Sequence, residues 1–348
     1  MKFSWLSYIG SGGSSFSSST SASSGSTDLS ELLSDLSFKS VYSFVLATST
    51  EALEHIIYLI LVYLLVCLSL YKLTFLETGS RFLRLLKVIK SIRLPSKPAA
   101  NKRVLFVTSH PDDECMFFGP LILALTKRLD CQPFVLCLSN GKKQLWEENI
   151  NCIIIFFSLM AGNFEKLGNV RRDELWSSCQ LLGIPASNVI LVNATHLPDD
   201  PNIEWKTESI AALVLNTVES LDIQAIFTFD RDGVSHHPNH CAVYYATASL
   251  CLANLLPKEC KFYTLDSVNI LRKYLSIFDL LCTCLMSTHW CILSWKEASI
   301  IRHAMREHNS QMKWFRWLYI YFSRYMFINS LREVNLADVE LEMQIHEN

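Results

Sequence analysis

Three regimes of hydrophobic and polar patterning follow one another along the chain. Residues 10 to 36 are mostly Ser, Gly and Thr, too poor in apolar groups to offset the entropy of ordering, which predicts an irregular N-terminal segment over residues 1–50. From Ile56 to Tyr71 no charged residue occurs, and Lys72 can snorkel so that the apolar stretch continues to Leu76, about the 20 residues that cross a bilayer. A core helix would keep a polar face. The run Ile56-Ile-Tyr-Leu-Ile-Leu-Val-Tyr-Leu-Leu-Val66 has none, so residues 55–76 read as a transmembrane helix, followed by a basic juxtamembrane linker over residues 77–100.

Beyond Arg103 the period changes. Short β-rich runs at Val104 to Thr108, Phe134 to Leu138, Val189 to Val192 and Ala225 to Phe229 alternate with helical patterns near Met116 to Leu129, Val170 to Leu182, Glu208 to Ser220 and Asn239 to Ala253. Gly183 and Pro185 supply the stop signals of the second helix. Strand-then-helix repetition predicts an α/β fold, a Rossmann-like, doubly wound and mostly parallel sheet over residues 101–335, with a short tail over 336–348. Leu275 to Leu293 is apolar enough to resemble a second span, but Asp279 and His289 interrupt it, which favours a buried or membrane-docking segment. Trp314 to Tyr325 interleaves aromatic residues with Arg316 and Arg324. That mixture fits an interfacial surface, with ordinary core packing as the competing reading.

Composition narrows the function classes. A net charge of −2 over 348 residues excludes the basic footprint of a nucleic-acid binder, and no feature predicts a protein partner. The 12 cysteines lie scattered in apolar runs, as reduced thiols of a cytosolic domain do; Cys282-x-Cys284 lacks the second pair that a metal site would need. Arg is absent from residues 10 to 36, which disfavours a transit peptide. Lys2 and Lys39 precede the apolar stretch, whereas Lys72, Arg81, Arg84, Lys87, Lys90, Arg93 and Lys97 follow it. Basic residues stay on the cytosolic side, so the large C-terminal domain is expected to face the cytosol.

The candidate chemistry sits at two strand ends. The first strand runs directly into His110-Pro-Asp-Asp-Glu114, where His110 and Asp113 can reach one cation and Asp112 stands beside them as a possible base. The fourth strand runs into Asp230 and then Gly233-Val-Ser-His-His-Pro-Asn-His240. In a doubly wound sheet both ends meet at the carboxyl edge. Two histidines and one carboxylate, with a fourth position left for water, make a hydrolytic zinc site, whereas any one of these histidines alone would read as a hydrogen-bonded loop residue.

Four motifs, Ser109-His-Pro-Asp-Asp-Glu114, Leu138-Ser-Asn-Gly141, Arg171-Arg-Asp-Glu-Leu175 and His237-Pro-Asn-His240, resemble the zinc-dependent N-acetylglucosamine de-N-acetylase family over roughly residues 100 to 270. The stretches Ser267 to Tyr274, Trp314 to Tyr319 and Phe322 to Ser330 resemble its eukaryotic branch, which acts on N-acetylglucosaminyl-phosphatidylinositol in glycosylphosphatidylinositol (GPI) anchor synthesis. The resemblance implies an amide hydrolase with Zn2+ held by His110, Asp113 and His240, though another divalent metal could serve. It implies Asp112 as the general base and His237, as a protonated imidazole, assisting the oxyanion. Glu114 would sit at a helix N-terminus, Arg171 would pair with it or contact the substrate's phosphate or hydroxyls, and His236 is as readily a bystander. A glycolipid substrate, an endoplasmic reticulum membrane location and a cytosolic active site follow. The alternatives are a deacetylase of a soluble conjugate and a silent membrane interaction protein.

One segment departs from the family. Joining Gly141 directly to Asn163 restores the family spacing, and residues 142–162 contain an abrupt apolar run, Ile153 to Ala161. The flanking residues can be encoded by splice-site-like strings, so the segment reads either as a retained intron or gene-model error or as a genuine inserted loop. Transcript reads that all carry codons 142–162 would refute the intron.

Overall fold

The computed structural model describes residues 29–75, 102–129, 131–140, 163–194, 196–200, 202–335, 337, 339 and 340. The basic linker at 77–100, the anomalous segment at 142–162 and nearly all of the tail lie outside the described residues. The chain divides into two units, residues 1–61 and 62–348.

Helix α1 spans Leu29–Phe75. Residues 29–50, expected to be irregular, are therefore helical. Leu29, Leu32, Leu33 and Leu36 recur at helical spacing, an amphipathic signal that the surrounding Ser and Gly obscure. Ser40–Phe75 is long and apolar enough to cross a membrane, and almost none of it is buried.

The second unit is built on one seven-stranded sheet in the order β3-β2-β1-β4-β5-β7-β6. The strands are β1 (Lys102–Thr108), β2 (Cys131–Cys137), β3 (Val189–Leu191), β4 (Ala225–Phe229), β5 (Lys261–Leu265), β6 (His289–Ile292) and β7 (Ile328–Glu333). The first five run parallel, and β7 joins β5 and β6 antiparallel, which bears out the mostly parallel sheet. The order reverses at β1, and the ends of β1 and β4 lie side by side there. Strand β1 is apolar on both faces because both are covered. Val104 and Phe106 pack against α3 (Gly119–Leu129), α4 (Asn163–Leu181) and α10 (Trp295–Glu307). Leu105 and Val107 pack against α5 (Thr207–Ser220) and α7 (Pro238–Leu252).

The helix expected over Met116 to Leu129 is two helices, α2 (Asp113–Met116) and α3, parted where Phe117 and Phe118 turn into the core. Gly119 starts α3 because Ile301 Cγ2 lies 2.9 Å from where its Cβ would be. Gly183 takes φ 85° and closes α4, the left-handed stop read from the sequence.

Leu275 to Leu293 is not a second crossing. It forms a 3-10 turn (Ser276–Asp279), helix α9 (Leu280–Met286) and strand β6. Asp279 is the reason. Its fully buried carboxylate pairs with Arg272 at 2.7 Å and Arg324 at 2.8 Å and accepts from Thr283 Oγ1 at 2.8 Å. Asp279→Ala would leave two cations without their counter-charge, one of them fully buried. It is expected to destabilise the fold by about 3–5 kcal/mol, read as a lowered unfolding midpoint. The end of α1 also rests on this segment: the Tyr63 hydroxyl donates to the Phe278 carbonyl at 2.7 Å and the Tyr71 hydroxyl to that of Leu293 at 3.3 Å.

Candidate active site

The turn after β1 is organised by its own carboxylates. Asp113 Oδ2 accepts from the backbone N–H of Ser109 at 2.9 Å and of His110 at 2.8 Å, which saturates that oxygen. Its Oδ1 is left facing His240 Nε2, 3.4 Å away. His240 comes from the first turn of α7, and its Nδ1 lies 3.1 Å from the Gly233 carbonyl, which can only accept; the proton therefore sits on Nδ1 and the Nε2 lone pair is free. Gly233 takes φ 53°, and a Cβ there would lie 2.8 Å from the His240 Cβ. Glycine is what lets this carbonyl approach the ring.

His110 completes the group. Ligand atoms of His110, Asp113 and His240 all lie within 4.8 Å of one another, and all three residues are buried. His110 Nε2 lies 3.4 Å from Asp199 Oδ1 and 2.9 Å from Asn239 Nδ2. Among the described residues Asn239 Oδ1 is buried without a hydrogen-bond partner. Turning that amide over satisfies Oδ1 with His110 Nε2–H and leaves Nδ1, 3.8 Å from Asp113 Oδ2, as the free donor. Two imidazole lone pairs and one carboxylate oxygen thus converge in a buried site, each held from behind by a hydrogen bond. The donor set fits zinc.

Electrostatics agree with that chemistry. Burial holds His110 neutral, with its pKa lowered to about 4 against the pull of Asp113 and Asp199. For Asp113, burial works upward, but His240 and His110 and their hydrogen bonds outweigh it and hold the carboxyl down at about 2. Neutral imidazoles and an ionised carboxylate are the forms that bind a metal ion. Phe229 stacks flat on His240, with centroids 3.9 Å apart, and fixes the ring plane.

His237 caps α7 through Nδ1, which accepts from the Asn239 N–H at 3.3 Å, so its proton is on Nε2. Burial lowers its pKa, and so does His240. In this geometry Nε2–H is the group His237 has to donate. His236 is exposed, with Nδ1 3.8 Å from Asp232 Oδ1. Asp230 is no ligand either. It accepts from Ser267 N–H and Oγ, both at 2.6 Å, and Ser267 Oγ accepts from Val234 N–H, which anchors the short helix α6 (Gly233–His236). Burial raises its pKa.

Asp112 sits beside the ligands with φ 113°, in the left-handed region, at a cost of about 1–3 kcal/mol that its surroundings must sustain. Glu114 sustains it. Glu114 Oε2 accepts from the Asp112 N–H at 2.9 Å, while Oε1 binds Ser178 Oγ at 2.5 Å and His308 Nε2 at 2.7 Å, all in the fully buried core. Gln311 then ties the same corner to the Pro111 carbonyl at 2.8 Å. Among the described residues Arg171 binds not Glu114, one of its two expected contacts, but Asp199 at 2.9 Å, the carboxylate behind His110. The Asp112 carboxylate pairs with Arg316 instead.

Asp199, Asn239, Arg316, Ser178 and His308 are the functional neighbours that sequence reasoning missed. Asn239 lay inside a recognised motif, and Asp199 follows Pro198 as Asp112 follows Pro111, a legible echo. His308 and Ser178 carried no local signal. The 11 cysteines among the described residues are free thiols, and neither Cys282 nor Cys284 belongs to a metal-competent group.

The family model described as PIG-L, GlcNAc-PI de-N-acetylase, matches residues 105–251. An N-acetylglucosaminyl-phosphatidylinositol de-N-acetylase of Bos taurus is 43% identical over 235 residues, 67% of this chain and 84% of the relative. A probable enzyme of the same name from Schizosaccharomyces pombe is 35% identical, covering 67% of this chain and 87% of the relative. Among solved structures, an N,N'-diacetylchitobiose deacetylase from Pyrococcus horikoshii is similar at a TM-score of 0.48 and 16% identity, over 73% of this chain and 91% of that one.

Proposed function

This chain belongs to the N-acetylglucosaminyl-phosphatidylinositol de-N-acetylase family and is a deacetylase, and from that premise we propose that it is a membrane-anchored, zinc-dependent hydrolase of the second step of GPI-anchor synthesis. It converts N-acetylglucosaminyl-phosphatidylinositol and water to glucosaminyl-phosphatidylinositol and acetate. The observation that carries the reading is the convergence of His110, Asp113 and His240 beside a buried, paired Asp112. Helix α1 is the anchor, and the basic residues that follow it favour the cytosolic face of the endoplasmic reticulum for the site.

Zinc held by these three residues would lower the pKa of a water and polarise the acetamide carbonyl. Asp112 takes the proton from the attacking water and returns it to the glucosamine nitrogen as the C–N bond breaks, because an amine leaves only when protonated. Arg316 fixes the direction in which the Asp112 carboxylate points. His237 donates Nε2–H to the oxygen that becomes negative in the tetrahedral intermediate. Arg171 acts on the substrate's phosphate or hydroxyls from its position on Asp199, the inner of its two roles being to hold His110 in line.

Detergent-solubilised protein should release acetate from the glycolipid, lose that activity to a chelator and regain it with zinc. Chelator-resistant turnover refutes the metal, and no turnover refutes the assignment. Independently of activity, Asp113→Ala and His240→Ala should each weaken zinc binding by more than about 100-fold, the upper end for changes behind a ligand. Metal content per chain after dialysis measures this; unchanged zinc would move the site elsewhere.

A further inference from the structure

Helix α11 (Trp314–Phe322) anchors one face to the body through polar contacts and leaves the opposite, apolar face exposed. Arg316, Tyr319, Ile320 and Ser323 recur at helical spacing toward the body: Arg316 reaches Asp112, and the Tyr319 hydroxyl donates to the Met116 carbonyl at 2.9 Å. On the other side Trp314, Phe315, Trp317, Leu318, Tyr321 and Phe322 are 42–76% exposed. A second exposed group, Ile270 and Leu271 on helix α8 (Ile270–Lys273) with Leu285 and Met286 on α9, is 70–78% exposed. The two groups are joined underneath. Helices α8 and α11 and the 3-10 turn before α9 all pack on the turn Arg324–Met326, and Arg324 binds Asp279 and Thr283 across it. Ten large apolar side chains left in water on one connected base are a liability for a soluble enzyme.

We propose that α11 and the α8–α9 corner form a second, monotopic docking surface that lies in the interfacial plane of the bilayer. The proposal rests on α1 being a membrane span, as read above. Three observations select lipid as the occupant. The surface is continuous with the C-terminal part of α1, residues 62–75, because Tyr63 and Tyr71 rest on Phe278 and Leu293 of the segment that bears Leu285 and Met286. On α11 its composition is that of an interface belt, Trp and Tyr with Phe and Leu, extended by the aliphatic Ile270, Leu271, Leu285 and Met286 at the corner. Its rim is basic: Lys313 precedes α11, Arg306 lies 5.6 Å over the Trp317 ring, and Arg302 lies 5.2 Å over that of Trp295, which suits anionic headgroups. A consequence is geometric. Arg316 touches the general base from the inner face of α11, so one helix thickness separates Asp112 from the lipid surface, and a headgroup reaches the site without its acyl chains leaving the bilayer.

Site-specific photo-crosslinking in the full chain tests this. Benzoylphenylalanine is placed at Leu318, at Leu271, and at Glu219, an exposed position on α5 across the sheet, in phosphatidylcholine–phosphatidylinositol proteoliposomes and in microsomes. Lipid adducts at 318 and 271 but not at 219 are expected. No lipid adduct at 318, equal labelling at 219, or adducts in microsomes that are to protein alone would overturn the proposal. In parallel, Trp314→Ser with Trp317→Ser should lower the ratio of acetate released from bilayer glycolipid to that from the lipid-free glycan by about tenfold; an unchanged ratio counts against docking. Because crosslinking needs no turnover, lipid adducts in a protein that releases no acetate would leave the docking surface standing and remove the reaction.

Discussion

Asp112→Asn is expected to lower acetate release by about 10²–10⁴-fold, the contribution of a positioned acid–base group, while zinc per chain stays at the wild-type level. The substitution isolates the proton-transfer role better than alanine would. Asp112 holds φ 113°, a conformation in which Asn and Asp are the most tolerated side chains after Gly, so the turn keeps its shape. The ligands are set by their own bonds, Asp113 by the backbone N–H groups of residues 109 and 110 and His240 by the Gly233 carbonyl, and neither depends on the Asp112 carboxylate. What changes is that an amide can neither take a proton from water nor return one to the amine, and Arg316 loses its counter-charge. The loss should fall on kcat, with KM nearly constant, since an interaction made in the transition state is what disappears. Turnover within tenfold of wild type would assign the base elsewhere; a parallel fall in zinc would make Asp112 a structural residue.

Four of the five parallel strands were legible as short apolar runs, β1 and β4 most clearly, because each of these two is buried and ends in chemistry. Val104 to Thr108 stops at His110, and Ala225 to Phe229 stops at Asp230, and buried parallel strands show as such runs. Strand β5, parallel to β4, escaped because Lys261 to Leu265 mixes polar and apolar types, and β6 and β7 escaped because they do too and pair antiparallel between segments far apart, Trp290 with Ser330. The ligand set was legible for a related reason. His110, Asp113 and His240 lie within short motifs whose spacing is local, whereas the groups that hold Asp112 in place arrive from α4, α10 and α11 and have no neighbours in sequence to announce them. His308 is 194 residues from Glu114, and Arg316 is 204 from Asp112. Arg316 was even noticed for another property, its place in an aromatic stretch. Both properties hold, because the helix shows one face to the site and the other to the surface. In residues 275–293 hydropathy alone suggests a span, but Asp279 argued against it, and the burial of its charge between two arginines is what makes the segment a folded corner.

Glu114→Ala is expected to be the most damaging substitution to the fold around the site, at about 3–5 kcal/mol and roughly a 10 °C fall in Tm. The carboxylate serves three groups at once, Ser178 Oγ, His308 Nε2 and the Asp112 N–H, and Glu114 and His308 are both fully buried. Removal leaves each donor without an acceptor in a region that water does not reach, and orphaned buried donors cost about 1–3 kcal/mol each. It also frees the Asp112 backbone from the bond that holds it at positive φ, so strain sustained by the core is released by moving the base. Stability and catalysis should therefore fall together, unlike in Asp112→Asn, where only catalysis falls. Glu114→Gln separates the two effects, since an amide oxygen can still accept from the Asp112 N–H while the charge beside His308 is gone. A cycle of Glu114→Gln and His308→Gln should show a coupling above about 1 kcal/mol, as contacting buried groups do. If Glu114→Ala unfolds within a degree or two of wild type, the clamp carries no weight, and the positive φ of Asp112 must be held by the Arg316 contact alone.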